Sequence, residues 1–166
     1  MVVSLFLEEL SARTLRESHD VQSIMIDTVL IPVDGSEQAR QACEYVRSEL
    51  PDASVTLLHV INPAETGYTI QTSLPTASEE WYDREKEQAE QLFDSLEQDL
   101  GPDERTVERV IEVGKPTRVI VEYAAENDID QIVMGSHGRS GVTRILLGSV
   151  AETVVRRSPV PVTVVR

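Results

Sequence analysis

Cysteine is nearly absent from this chain, which contains one cysteine and three histidines among its 166 residues. The single thiol, Cys43, cannot form an internal disulfide and falls in a stretch with helical spacing, so we interpret it as a packing residue. This cysteine usage is typical of a reducing, cytoplasmic setting. No metal site is expected, because one cysteine and scattered histidines do not supply closely spaced ligands for a structural zinc ion.

Long apolar runs are also lacking. None approaches the ~20 residues that a membrane-spanning helix requires, so no membrane partner is expected. The chain starts with a short apolar run that Glu8 and Glu9 interrupt, and this pattern does not fit a secretory signal. We expect residues 1–24 to form an extension, either helical or disordered, and residues 25–166 to form one domain.

Positive charge is scarce and unevenly distributed. The chain has 29 acidic residues against 15 Lys and Arg, which gives a formal net charge of -14. This excess argues against general nucleic-acid binding, which requires a basic face. Residues 1–134 hold 28 acidic and ten basic residues, whereas residues 135–166 hold five arginines and one glutamate. An anion site is therefore expected toward the C-terminus, and the many carboxylates suggest an acidic, halophilic protein.

Short apolar runs alternate with amphipathic stretches along the domain. Continuous apolar runs predict strands buried on both faces of a parallel sheet, whereas the alternation in residues 107–113 predicts a half-exposed strand near an edge. The predicted strands are residues 28–33, 54–60, 107–113, 131–134 and 160–165, and the predicted helices are residues 37–49, 79–99, 116–127 and 149–157. This order predicts an α/β fold with a doubly wound five-stranded parallel sheet flanked by helices.

Capping residues indicate where several helices start. Ser36 is a predicted N-cap for the first helix. Thr76 with Glu79, and Ser149 with Glu152, have the spacing of capping boxes. We therefore expect the second helix to follow Thr76 and the fourth to start at Ser149.

Ligands of open parallel sheets bind beyond the carboxyl ends of the strands, where the strand order reverses. Asp34 follows the first predicted strand, Val60 ends the second and Gly114 ends the third. The segment after the fourth strand, residues 135–149, reads GSHGRSGVTRILLGS. These four loops are therefore the candidate ligand-binding region.

The segment after the fourth strand combines the parts of a phosphate cradle. Glycines let a backbone approach an anion closely or adopt positive φ; here they are Gly135, Gly138 and Gly148. Ser149 begins a helix whose free N–H groups and dipole attract phosphate. Arg139 and Arg144 add positive charge beside them.

Each part of this cradle also has an ordinary structural interpretation. The glycines can form turns, Ser149 can act only as an N-cap, and His137 can be a surface residue. Asp34 can cap its own loop. His59, inside an apolar strand, is interpreted as a hydrogen-bonded core histidine. The spacing excludes a P-loop, a dinucleotide fingerprint and a nucleophile elbow.

The glycine spacing resembles that of a known family. Gly135, two residues, Gly138, nine residues, then Gly148 and Ser149 is similar to the ATP-binding signature G-2x-G-9x-G-S/T of the universal stress protein (UspA) family. TVLIPVDGSE resembles its first strand and loop, LLHV its second strand, EVGKP the end of its third strand and SPVPVTVVR its closing strand. The resemblance covers about residues 25–166 and implies a Rossmann-like, adenine nucleotide alpha hydrolase-like fold.

The resemblance implies a bound adenine nucleotide, ATP or AMP, with or without Mg²⁺. Asp34 would accept hydrogen bonds from the ribose hydroxyls, and Val60 would place its backbone beside adenine. The residues implied on the adenine and ribose side are Pro32, Val33, Asp34, Val60, Met134 and Gly135. Those implied around the phosphates are His137, Gly138, Arg139, Gly148, Ser149 and Val150. Gly114 completes the nucleotide-binding set.

The family also implies a homodimer paired through the closing strand, residues 160–165. This run is apolar and β-branched, so it would otherwise form an exposed sheet edge. Residues 1–24 depart from the family pattern, which lacks such an extension.

Our first hypothesis is a stress-response regulatory protein that binds ATP or AMP as a signal and acts with a regulatory protein partner of unknown identity. No catalytic residue is assigned, because phosphoryl transfer needs positioned Mg²⁺ ligands and the cradle contains few carboxylates. A slow ATPase or nucleotidyl-transfer enzyme on the same fold is the second hypothesis. The third is a dimeric interaction protein that binds no nucleotide.

Overall fold

The computed structural model describes residues 26–64, 75–101, 105–136 and 147–166. The predicted extension, residues 1–24, lies outside the described residues. The strands are β1 (Thr28–Val33), β2 (Ser54–Ile61), β3 (Val107–Val113), β4 (Gln131–Gly135) and β5 (Val162–Val165). The helices are α1 (Glu37–Glu49), α2 (Pro75–Leu100), α3 (Pro116–Glu126) and α4 (Ser149–Arg157). This order of strands and helices is the predicted one.

The five strands form one parallel sheet in the order β3-β2-β1-β4-β5. The chain moves outward from β1 to β2 and β3, then returns across β1 to add β4 and β5 on the other side. The sheet confirms the predicted doubly wound fold and places β3 at an edge, as the alternation of its residues indicated. The strand order reverses between β1 and β4, so the switch point lies between these two strands.

Consecutive residues of the central strands face opposite sides of the sheet and build two cores. Val29 and Ile31 lie in one core with residues of α1 and α2, whereas Leu30 lies in the other with residues of α3 and α4. Cys43 is fully buried in the first core. Burial and the nearby Asp99 carboxylate raise the pKa of this thiol to about 12, which agrees with a packing role.

Helix α1 starts as the sequence predicts. Ser36 is its N-cap, and the Ser36 hydroxyl oxygen accepts a hydrogen bond from the Ala39 N–H at 3.2 Å. This bond satisfies one of the N–H groups that a helix leaves unpaired in its first turn. The four positions predicted to face the core are all buried; they are Ala39, Ala42, Cys43 and Val46.

Two predicted capping boxes are wrong. Helix α2 already begins at Pro75, where a proline loses nothing by lacking an N–H, so Thr76 lies inside the helix. In α4 the N-cap is Gly148, without a side-chain capping bond, and Ser149 is the first helical residue. The spacing of both pairs fits a capping box, but α2 starts two residues and α4 one residue before the position that an N-cap at Thr76 or Ser149 would require.

The closing strand is shorter than predicted. It starts at Val162 rather than at residue 160, because Pro159 and Pro161 have no N–H to contribute to a ladder. The Pro161 carbonyl nonetheless accepts a hydrogen bond from the Ile132 N–H at 2.9 Å. Strand β5 therefore pairs with β4 from its first residue onward and forms the second edge of the sheet.

Arg109 joins the edge strand β3 to helix α2. Its guanidinium lies 2.6 Å from Glu97, 2.9 Å from Asp94 and 3.2 Å from Glu90. The hydrogen bond to Glu97 makes the largest contribution to a raised pKa of Arg109. The same group lies 6.0 Å from the centre of the Phe93 ring. Charged contacts therefore cover this edge of the first core.

Among the described residues, none of the helices combines the length and the apolar composition that crossing a lipid bilayer would require.

Candidate functional site

Strands β1 and β4 separate before they end. The register between them pairs Val29 with Gln131 and Leu30 with Ile132. In contrast, β1 follows β2 as far as Val33, and β4 follows β5 to its last residue, Gly135. The two halves of the sheet therefore diverge at their carboxyl ends, which is the position where open parallel sheets bind ligands.

The loop after β1 is held by its own side chains. Gly35 has φ +78°, a conformation that L-residues rarely adopt. Asp34 Oδ1 accepts a hydrogen bond from the Ser36 N–H at 3.1 Å. Asp34 therefore does cap its own loop, which was one of the two interpretations of this residue. The same contact restrains the half-buried carboxylate at the mouth of the crevice between the carboxyl ends of β1 and β4.

His59 reaches the carboxyl end of β1 from the neighbouring strand. Its Nδ1 lies 2.9 Å from the Val33 carbonyl oxygen, and the ring is half-buried. The predicted hydrogen bond of His59 is confirmed, but the residue is not part of either core. Sequence reasoning missed the partner, because the register that brings Val33 opposite His59 is a property of the folded sheet.

The apolar candidates on this side contribute mainly to the cores. Val33 is 4% exposed and packs in the first core, and Met134 is 5% exposed in the second. Val60 is partly buried against the second core, and Pro32 is half-buried. A ligand in the crevice would therefore meet these residues chiefly through their backbone at the strand ends.

Gly135 allows α1 to pack on β4. A Cβ at this position would lie 2.5 Å from the Gln38 Cβ and 2.9 Å from the Gln38 carbonyl carbon, distances that real structures do not tolerate. Among the described glycines, positive φ occurs at Gly35, Gly101 and Gly114, so neither Gly135 nor Gly148 uses this freedom. The close approach at Gly135 is to a helix of the same chain, and the contact with Gln38 had no signal in the sequence.

Backbone hydrogen bonds place the start of α4 beside the end of β4. The Ser136 N–H donates to the Val165 carbonyl, and the Gly148 N–H donates to the Ser136 carbonyl, each at 2.8 Å. Ser136 is 3% exposed, and its linking role was also missed from the sequence. The strand end and the helix start are thus connected through one residue.

The first turn of α4 presents donors at this position. Its first helical hydrogen bond runs from the Glu152 N–H to the Gly148 carbonyl at 2.9 Å. The N–H groups of Ser149, Val150 and Ala151 precede that bond, so the helix itself offers them no acceptor. Together with the helix dipole they form an arrangement suited to an anion.

Gly114 lies away from the switch point. Its N–H donates to the Ile61 carbonyl at 3.0 Å, which ties the end of β3 to the end of β2. Strands β2 and β1 therefore stand between Gly114 and β4. Gly114 has φ +156°, and a Cβ at this position would lie 3.0 Å from Val119 Cγ2. These two features explain a glycine here without a ligand.

Four predicted phosphate residues lie outside the described residues; they are His137, Gly138, Arg139 and Arg144. Within the ranges that the structure describes, no group of three or more His, Cys, Asp or Glu side chains could hold a metal ion. The described part of the site therefore consists of the Asp34 loop, the end of β4 and the start of α4.

Comparisons of the sequence and of the structure with known proteins relate this chain to the same family. The model of the universal stress protein family matches residues 25–166. Universal stress protein MJ0577 of Methanocaldococcus jannaschii is 32% identical over 157 residues, which cover 87% of this chain and 97% of that protein. The solved structure of MJ0577 matches with a TM-score of 0.75 at 35% identity, over 85% of this chain and 96% of that one.

Two further solved structures contain an adenine nucleotide. One is a universal stress protein in complex with cAMP, with a TM-score of 0.57 and 24% identity over 86% of this chain and 98% of that one. The other is the family protein At3g01520 of Arabidopsis thaliana with AMP bound, with a TM-score of 0.60 and 18% identity over 84% of this chain and 90% of that one. At these identities the similarity shows a shared fold.

Proposed function

The chain belongs to the universal stress protein family, and from this premise we propose that it is a cytoplasmic regulatory protein that binds an adenine nucleotide as a signal. The proposed ligand is ATP before AMP. The proposed site is the crevice between the carboxyl ends of β1 and β4. The cAMP and AMP bound by proteins of the same fold support this ligand class.

One observation carries the proposal. A carboxylate and a set of helix N–H donors follow adjacent strands and therefore lie at the same edge of the sheet. Asp34 follows β1, and the start of α4 is hydrogen bonded to Ser136 directly after β4. An acceptor for hydroxyl groups beside donors for an anion matches the two polar parts of a nucleotide, its ribose and its phosphates.

On the nucleoside side, we assign ribose recognition to Asp34. A carboxylate accepts hydrogen bonds from both vicinal hydroxyls of a ribose, and the bond from Ser36 restricts its orientation. Adenine is assigned to the backbone at the ends of β1, β2 and β4. The residues assigned to this side are Pro32, Val33, Asp34, Val60, Met134 and Gly135. Gly114 is left out of the assignment, because it follows β3 and lies away from the switch point.

On the phosphate side, we assign the first-turn N–H groups of α4. Gly148 is the N-cap of this helix, and Ser149 and Val150 are its first residues. Arg139 and Arg144, which precede the helix in the sequence, carry the sign of charge that matches a phosphate. His137, Gly138 and Arg139 belong to the same assignment through the glycine signature. A Mg²⁺ ion accompanying ATP would take most of its ligands from phosphate oxygens and water, as is usual for this ion.

A bound signal fits the described residues better than rapid phosphoryl transfer. Transfer needs a group that orients the nucleophile and ligands that hold Mg²⁺ against the phosphates. Glu152, the carboxylate in the first turn of α4, forms an ion pair with Arg156 at 2.9 Å, one turn further along the helix. We therefore assign no catalytic residue.

We further propose a homodimer paired through the closing strand, predicted as residues 160–165. Strand β5 lies at the edge of the sheet and its four residues are half-buried. An apolar edge strand favours pairing with a second strand. In a twofold dimer both copies would use this same edge.

Isothermal titration of the nucleotide-stripped full chain with ATP and Mg²⁺, followed by a product assay on the same sample, tests the function. We expect micromolar binding without turnover. Rapid hydrolysis would replace the regulatory assignment with an enzymatic one. Absence of binding to ATP and to AMP would leave a dimeric interaction protein that does not use its glycine signature.

A further inference from the structure

His59 occupies the last paired position of the β1–β2 ladder. The register of these strands ends at Val33 opposite His59, and the His59 Nδ1 lies 2.9 Å from the Val33 carbonyl oxygen. A carbonyl oxygen only accepts hydrogen bonds, so the proton of this bond resides on Nδ1. A side chain of β2 therefore holds the final carbonyl of β1.

This carbonyl belongs to the peptide group that leads into Asp34. Its direction fixes the plane of that peptide and with it the position of the Asp34 Cα. On the other side, the Ser36 N–H donates to Asp34 Oδ1 at 3.1 Å, and Ser36 is itself fixed as the N-cap of α1. His59 therefore restrains the backbone that precedes Asp34, and the Ser36 N–H restrains the Asp34 carboxylate.

We infer that His59 is a positioning residue for nucleoside recognition, which orients the Asp34 carboxylate toward the ribose hydroxyls without contacting the nucleotide itself. The inference rests on the proposed function. A carboxylate that is already oriented loses less conformational entropy when the ligand binds. The effect of His59 should therefore depend on the ribose hydroxyls and on Asp34.

Two substitutions separate this role from a simple contribution to stability. His59→Asn retains a donor, because the Asn side-chain nitrogen is attached to Cγ as Nδ1 is in histidine. His59→Leu removes the donor and leaves an apolar side chain. Titration with ATP and with 2′,3′-dideoxy-ATP, which lacks both ribose hydroxyls, measures how much affinity the hydroxyls contribute in each protein.

We expect His59→Leu to reduce the preference for ATP over dideoxy-ATP by about three- to tenfold, the size of one net hydrogen bond. His59→Asn should stay within about twofold of the unaltered chain. In an Asp34→Ala background His59→Leu should have no further effect on the preference, because coupled residues are not additive.

An undiminished preference in His59→Leu, or an equal loss in the Asp34→Ala background, would overturn the inference. A lower unfolding temperature with unchanged preference would have the same meaning. If His59→Leu does not fold, His59→Gln takes its place with the same expected loss, because its nitrogen lies one bond further from Cγ.

Titration of the unaltered chain distinguishes a failure of this inference from a failure of the proposed function. If it binds ATP and dideoxy-ATP equally, the inference fails while the proposed function stands. If it binds no adenine nucleotide, the proposed function fails and the inference fails with it.

Discussion

The two sides of the crevice are built from different hydrogen bonds. On the β1 side, side chains form them: Asp34 with Ser36, and His59 with Val33. On the β4 side, backbone groups form them, from Ser136 to Val165 and from Gly148 to Ser136. Directed side chains suit selective recognition of hydroxyl groups, whereas backbone N–H groups bind an anion whichever side chains surround them. Substitutions should therefore act differently on the two sides.

The outer strands repeat this contrast. Strand β3, beyond β2, carries exposed Glu108, Arg109 and Glu112, and Arg109 is paired with carboxylates of α2. Strand β5, beyond β4, reads VTVV. Charges on an edge strand discourage pairing with another chain, and an apolar edge favours it. The difference supports the β5 edge as the interface of the proposed homodimer.

The largest expected effect comes from a charge on the β5 edge. Val162→Glu should weaken the proposed dimer by about 3 kcal/mol or more, roughly 100-fold or more in Kd, because a twofold interface brings both carboxylates close together. Sedimentation velocity over a concentration series measures this change.

A control for the added charge alone lies on the opposite edge, where the side chain is exposed rather than partly buried against a core as Val162 is. Val113 on β3 is 47% exposed, so Val113→Glu adds the same charge where it stays hydrated. We expect its sedimentation to equal that of the unaltered chain. A dimer that survives Val162→Glu but dissociates with Val113→Glu would place the interface on β3.

The next largest effect is expected at Gly135, the glycine at the end of β4 that lets α1 pack on this strand. Gly135→Ala should lower the free energy of unfolding by about 1–3 kcal/mol, because the new methyl group forces α1 away from β4. Gly148→Ala is the control. Gly148 has φ -61° and ψ 156°, a conformation open to alanine, and we expect a loss below about 1 kcal/mol. Urea unfolding measures both, and equal losses would contradict the packing explanation.

On the β1 side, Asp34→Ala should weaken ATP binding by about 1–3 kcal/mol, roughly five- to 150-fold in Kd. It also removes the bond from the Ser36 N–H, so stability should fall. Asp34→Asn keeps an oxygen for that bond but loses the carboxylate charge. Titration calorimetry combined with thermal unfolding separates the two effects. A change in stability without a change in affinity would make Asp34 only a loop cap.

The smallest effect follows from the difference in charge between the two parts of the sequence. The acidic excess lies in residues 1–134, and its repulsion should be screened as KCl shortens the Debye length from about 30 Å at 0.01 M to about 3 Å at 1 M. We expect the unfolding temperature to rise by a few degrees and then level off. Loss of structure with rising KCl would reject the halophilic interpretation.

Local patterns predicted most of the elements because their causes lie within a few residues. The run TVLIPV predicted β1, and the spacing from Ala39 to Val46 predicted the buried face of α1. The capping boxes at Thr76 and Ser149 failed, since Thr76 lies inside α2 and Ser149 is the first residue of α4 rather than its N-cap. Element ends depend on neighbouring chain segments as well as on local residues.

The sequence by itself determined the succession of strands and helices, the N-cap at Ser36, and the loops that follow each strand. Hydrophobic periodicity and turn-forming residues act over a few neighbouring positions, so they can be identified from the sequence alone. Only the tertiary structure decided the order β3-β2-β1-β4-β5, the bond from His59 to Val33, and the packing of Gln38 against Gly135. These contacts join residues that are 26 or more positions apart. Their geometry comes from the crossover connections and strand register, which no local pattern specifies.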